Sequence, residues 1–315
     1  MVQQKIAITA EKRNVFVRLG ENIRKNPLIY MIALPVILYY LIFHYGAMWG
    51  LVIAFQNYVP NKGIFGSKWV GLQNFQDFIS SRSFPGIVIN TLAINFYQLL
   101  LAFPAPIILA LLLNEVRNIR FKKTVQTITY MPHFVSIMVL CGMIVDFTLT
   151  HGLINEIIVF FGGERSPLLT RPELFRGIFV GSGIWQEVGF GSIIYLATLT
   201  GIDQQLYEAA AIDGANRWSQ TWHVTLPGIA PTVVIMFIMR IGRMMSLGFE
   251  KIILLYSPAT YEVADVISSF VYRRGFLELD YSFGAAVDLF NSVVNFSLLL
   301  TANWLSRKYS ENSLF

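Results

Sequence analysis

The sequence predicts an all-α integral membrane protein with six transmembrane helices. Two observations carry that expectation, and a third gives its orientation. Of the 315 residues, 55% are hydrophobic and only 14% are charged, whereas a soluble domain usually carries about 25% charged residues. Three runs, Leu28–Asn61, Ser83–Asn114 and Thr124–Val145, contain no Asp, Glu, Lys or Arg. Each exceeds the roughly 20 apolar residues that a helix needs to cross a bilayer. Basic residues gather at the predicted inner ends of the spans.

Residues 1–27 are polar and basic and read as a cytoplasmic tail. The first apolar run is too long for the h-region of a cleavable leader, so it is expected to stay in the membrane. The first span is placed at 28–56, an outer loop at 57–85, a five-helix core at 86–306 and a cytoplasmic tail at 307–315. Pro104 and Pro106 fall inside the second run, which predicts a kink there. Three further runs are apolar but interrupted. Gly177–Ile202 carries Glu187, and Gly228–Tyr256 carries Arg240, Arg243, Glu250 and Lys251. Tyr281–Ser306 carries only Asp288.

Lysine and arginine in the flanks set orientation. The tail holds Lys5, Lys12, Arg13, Arg18, Arg24 and Lys25, and the short inner loop 114–123 holds Arg117, Arg120, Lys122 and Lys123. Arg217, Arg307 and Lys308 lie on the same side, so both termini are expected in the cytoplasm. The net charge of +5 is accounted for by these flanks rather than by nucleic acid. Outside, Val263, Val266, Ile267, Phe270 and Val271 recur at helical spacing, which predicts an amphipathic surface helix over 261–272.

Several chemistries lack their residues. Cys141 is the single cysteine, so neither an intrachain disulfide nor a zinc site is expected. His44, His133, His151 and His223 are scattered singly. No phosphate-cradling glycine loop or metalloprotease motif occurs. The chain is therefore expected to be no enzyme and to bind no ATP itself. A secondary transporter is the alternative reading, but it would need coupling-ion sites and often shows inverted repeats. No internal repeat is visible.

The most informative segment is the polar loop 203–230. Asp203 is a plausible N-cap, and Leu206–Ile212 is rich in helix formers. Gly214 suits the left-handed position that ends a helix. A second short helix fits Arg217–Thr225, with Pro227 expected to stop it. The loop resembles the EAA motif of binding-protein-dependent importer permeases through Glu208, Ala209, Ala210, Gly214, Leu226 and Pro227. Its Ile212-Asp213-Gly214-Ala215 wording is similar to that of sugar permeases. Segments Gly248–Asp265 and Tyr281–Val294 look like the oligosaccharide and polysaccharide branch, although Asp288 stands where that branch suggests glycine.

The resemblance implies a type-1 ABC importer permease fold whose coupling helix docks on a separate ATPase dimer, which binds ATP and Mg2+. It also implies a second homologous permease, an extracytoplasmic solute-binding protein, a carbohydrate substrate and a prokaryotic cell membrane. Glu208 would be the polar anchor of the joint and Gly214 its elbow.

Glu187, Arg240, Arg243 and Asp288 are costly in hydrocarbon, by about 3 kcal/mol each on insertion scales. They are expected either to line a translocation path or to pair as structural ions. The three-residue spacing of Arg240 and Arg243 puts both on one helix face. Trp185, Phe190, Tyr195 and Phe290 are candidates for stacking on sugar rings, with lipid-facing packing the simpler role for each.

Overall fold

The computed structural model describes residues 22–309. The expected terminal tails fall largely outside them. Among the described residues, five helical segments are long and apolar enough to cross a membrane, one of which, Ile137–Phe160, is interrupted at residues 149–152. A sixth, Pro172–Thr200, is equally long but carries Glu187 and five glycines, which keeps it out of that apolar set.

Helix α1 (Pro27–Phe55) is apolar on every side, and Leu28, Met31 and Trp49 are each about 70% exposed. A helix with no polar face needs lipid or another protein around it. Only its end, Trp49–Phe55, packs on the last helix. The outer loop then forms a small hairpin, β1 (Gln56–Asn57) against β2 (Lys68–Trp69), followed by α2 (Gln73–Ile79). Asn74 ties it down by donating to the carbonyls of Ala54 and Gln56. The Tyr58 amide donates to the Ser282 hydroxyl at 2.8 Å.

Helix α3 (Phe84–Glu115) carries the expected irregularity. A π turn covers Gln98–Ala102, immediately before Pro104. The third apolar run is divided between two helices. Amphipathic α4 (Ile119–Tyr130) is capped by Asn118, and a tight turn follows at Met131–Phe134. Ser136 then caps α5 (Ile137–Thr148). Pro132 supplies the elbow. Beyond it, α6 (Leu153–Phe160) leads to α7 (Pro172–Thr200).

Helix α7 is the hub and packs against α3, α4 and α9. Glycine makes one of these contacts possible: a Cβ at Gly189 would lie 2.0 Å from the Thr129 carbonyl oxygen. Small residues let backbones approach in this way where lipid offers no hydrophobic drive. Around α7, one apolar cluster joins Phe175, Phe179 and Val180 to Cys141, Ile252 and Leu255, and another joins Tyr195 and Leu199 to Ala110 and Ile229.

After α7 come α8 (Gln204–Ile212), α9 (Arg217–Ile241), α10 (Phe249–Leu255), α11 (Tyr261–Ala264), α12 (Ile267–Val271) and α13 (Tyr281–Tyr309). Three expectations need correction here. Pro227 does not stop a short helix, because a π turn at Thr221–Thr225 absorbs its missing N–H and α9 runs straight through. The fifth apolar run is not one helix but breaks at Gly242–Gly248. The outer segment 261–272 is not a surface helix. It splits at Asp265–Val266, and Ala264, Val266, Ile267 and Phe270 are buried.

Candidate functional site

Gln98, Pro106, Val180, Gly183, Glu187, Gly191, Tyr195, Met236, Arg240 and Arg243 surround a cavity of about 380 Å3. Three of the four intramembrane charges singled out in the sequence therefore meet in one place. Asp288, on α13, does not line it.

The cavity sits where the surrounding helices are least regular. On α3 the wall is the π turn at Gln98. On α9 it is the last turn, with Arg240, and the start of the break, with Arg243. The break leaves backbone groups without helical partners, and Asn295 of α13 serves some of them. Its carbonyl oxygen accepts from the Met245 amide at 2.9 Å, and its Nδ2 donates to the Ser246 hydroxyl at 2.8 Å. Irregular backbone at membrane depth is tolerated where it is buried in protein or lines a wet cavity.

The charges are not paired with one another. Arg240 donates to the Gln98 side-chain oxygen. His133 lies 3.0 Å from Glu187 and stacks on Phe190 at 3.8 Å, so the α4–α5 elbow is tied to the cavity wall. Arg243 is exposed, and among the described residues neither arginine forms an ion pair. Lys251 of α10 reaches in from behind: its Nζ donates to the Phe179 carbonyl at 3.0 Å and lies 3.4 Å from where a Gly183 Cβ would stand. The aromatic candidates separate. Tyr195 lines the cavity, Phe190 stacks on His133, Trp185 lines a different, apolar cavity, and Phe290 packs against Phe78.

Sequence reasoning missed Gln98, His133, Lys251 and Asn295. Gln98 left a trace, as a polar residue six positions before a proline in a charge-free run. The other three needed the fold, because their partners lie on distant segments.

Beyond the break, a polar clasp holds α11 and α12 in place. Asp265 takes two hydrogen bonds from Arg273, the shorter at 2.6 Å, and a third from the Ser269 hydroxyl. Burial alone would lower the Arg273 pKa, but the Asp265 carboxylate more than reverses it and holds it above the ordinary arginine value. Asn90 donates to the Asp265 and Glu262 carbonyls and accepts from Arg176.

In the polar segment between α7 and α9, Asp203 caps α8 through the Gln205 amide. Gly214 adopts φ +80, the left-handed elbow expected of it, and Asn216 caps the start of α9. Glu208, Ala209 and Asp213 are exposed and Ala210 half-buried on α8 and its C-terminal turn. Leu226 is half-buried and Pro227 exposed, both within α9. The Tyr207 hydroxyl meets that of Thr225 at 3.1 Å, bracing α8 on α9. Ile212 is 87% exposed and Trp218 71%.

The chain matches the family described as binding-protein-dependent transport system inner membrane component over residues 102–311. It is 44% identical over 306 residues to the polygalacturonan/rhamnogalacturonan transport system permease protein YteP of Bacillus subtilis, covering 97% of this chain and 94% of that protein. It is 42% identical to protein LplB of the same organism, covering 93% and 92%. A permease chain from the crystal structure of a bacterial alginate ABC transporter, in complex with a periplasmic protein carrying an alginate pentasaccharide, superposes with a TM-score of 0.87. That match has 41% identity and covers 94% of this chain and all of that one. The chain therefore belongs to the inner membrane components of binding-protein-dependent transport systems, the non-enzymatic permeases of bacterial ABC transporters.

Proposed function

We propose that this chain is one permease subunit of an ATP-driven importer of oligosaccharides or polysaccharides, forming half of the translocation pathway beside a second, homologous permease. An extracytoplasmic solute-binding protein delivers the carbohydrate. A separate ATPase dimer binds the ATP and Mg2+, and this chain carries no cofactor. It crosses the cell membrane six times with both termini in the cytoplasm, and residues 86–306 form the core. The carbohydrate class is supported by relatives named for polygalacturonan/rhamnogalacturonan and alginate transport.

The observation that carries the reading is the joint between α8 and α9. Glu208, Ala209, Ala210 and Asp213 make the face offered to the ATPase, and Gly214 sets its angle. Leu226 and Pro227 keep the joint continuous with the membrane span. Because α9 runs unbroken from Arg217 to Ile241, a push at the joint reaches Arg240 about 35 Å away along one rod. Glu187, Arg240 and Arg243 form the path at its far end. Asp288 stands outside this group.

The test uses the complex reconstituted with its partners. Gly214→Val forces a β-branched residue into a left-handed conformation, and Glu208→Lys reverses the anchor charge. Both variants are expected to insert normally and to lose substrate-stimulated ATP hydrolysis. Normal stimulation in both would refute the coupling assignment.

A further inference from the structure

Lys251 brings a positive charge into the fifth apolar run with no acid in contact. It is the third residue of α10, just beyond the break that follows α9, and it is half-buried. Its Nζ donates to the Phe179 carbonyl at 3.0 Å and lies 4.7 Å from the centre of the Phe179 ring. An ammonium has three donors, and a desolvated charge without a counter-charge is costly. The adjacent carboxylate, Glu250, turns the other way, with its Oε2 3.4 Å from where a Gly248 Cβ would stand.

The acid within reach is Glu187. Phe179, Gly183 and Glu187 follow one another at four-residue spacing and form one row along α7. Lys251 Nζ lies 3.4 Å from where a Gly183 Cβ would stand, and neighbours in such a row are about 6 Å apart, so Nζ is within about 9 Å of the Glu187 Cβ. Helical side chains lean toward the N-terminus, which for Glu187 is toward Gly183. Glycine leaves that part of the row open. In the structure Glu187 instead meets His133 at 3.0 Å, and the His133 ring stacks on Phe190. Gly183 and Phe190 are seven residues apart, about 10 Å along the axis. The two cationic partners therefore flank Glu187 from opposite ends, and its side chain must swing to serve one or the other.

Building on the proposed permease role, we infer that Lys251 is a second partner of Glu187, and that the transport cycle exchanges His133 for Lys251. With His133, the carboxylate ties the α4–α5 elbow to α7 and leaves α10 on a backbone carbonyl. With Lys251, it frees the elbow and clamps α10, the first helix beyond the break. Two discrete arrangements of one side chain thus link the break in α9 to the elbow across the cavity wall. Lys251 is a positioning residue, because it acts on that wall through Glu187.

The experiment melts the purified full complex in two states, nucleotide-free and trapped with ADP and orthovanadate. The variants are Glu187→Lys, Lys251→Glu and the double reversal. In one state each single reversal should lower the melting temperature by roughly 2–6 °C, and the double reversal should restore it. In the other state the double reversal should restore nothing, because Glu187 is then with His133. There, and only there, His133→Gln and Glu187→Gln should be non-additive. If a reversal fails to insert, Lys251→Gln with Glu187→Gln completes the same cycle, read as non-additivity. Coupling of Lys251 to Glu187 in neither state, or equally in both, would overturn the exchange. A wild-type complex that traps no vanadate would instead refute the permease reading, whereas trapping without coupling removes Lys251 alone.

Discussion

Replacing Gly189 by alanine tests the packing that positions the site. The added Cβ would stand 2.0 Å from the Thr129 carbonyl oxygen, 2.3 Å from its carbon and 2.9 Å from the Tyr130 amide nitrogen. All three are backbone atoms of α4, so no side chain can swing aside. Reaching ordinary contact of about 3.4 Å requires α4 and α7 to separate by about 1.4 Å, which forfeits a large share of their dispersion contacts. Overpacking a filled interface costs about 1–3 kcal/mol, and a rigid backbone clash belongs at the upper end. We expect Gly189→Ala to lower complex stability by about 3 kcal/mol and to pull His133 from Glu187. Gly181→Ala on the same helix, with nothing within 4 Å of its added Cβ, serves as the control. The assay is thermal unfolding of the purified complex together with membrane yield. A Gly189→Ala complex that melts with the control would refute the close approach.

Topology is tested by single cysteines and a membrane-impermeant thiol reagent: Glu164→Cys and Glu262→Cys should label from outside, and Arg120→Cys and Asp213→Cys only from inside. One inversion breaks the six-span arrangement. Asp265→Asn leaves the half-buried Arg273 without its charge partner and should cost about 2 kcal/mol, below the range for a fully buried pair. Unchanged melting would show the clasp to be dispensable. Arg240→Gln should cut uptake while yield and melting temperature hold, because no ion pair is lost. A parallel fall in stability would make Arg240 structural.

Most of the spans were legible because lipid demands a simple pattern: long charge-free runs with basic inner flanks. The elbow at Gly214 was legible too, because only glycine takes φ +80 without strain. What escaped was where a run stops being one helix. Thr124–Val145 looked uniform by charge, but Pro132 and the Ser136 cap divide it. Conversely, Pro227 looked like a stop, and the π turn before it kept α9 whole. Hydropathy cannot distinguish these outcomes, since both depend on whether a neighbouring segment satisfies the freed backbone. The side chain that does so at the α9 break, Asn295, lies about fifty residues away.

The irregular backbone also explains why a chain this apolar keeps its polar residues where it does. The π turn at Gln98, the elbow at Met131–Phe134 and the break after Ile241 belong to three different helices. Each nevertheless brings a polar side chain, Gln98, His133 or Arg240, to the same stretch of α7. A regular helix could present a side chain at that depth, but it could not change direction there. The Gly214 elbow precedes α9 and the break follows it, so the two irregular points stand at opposite ends of one helix. The proposed permease role uses this arrangement: one helix leads from the Gly214 joint to a break beside the polar groups of the cavity.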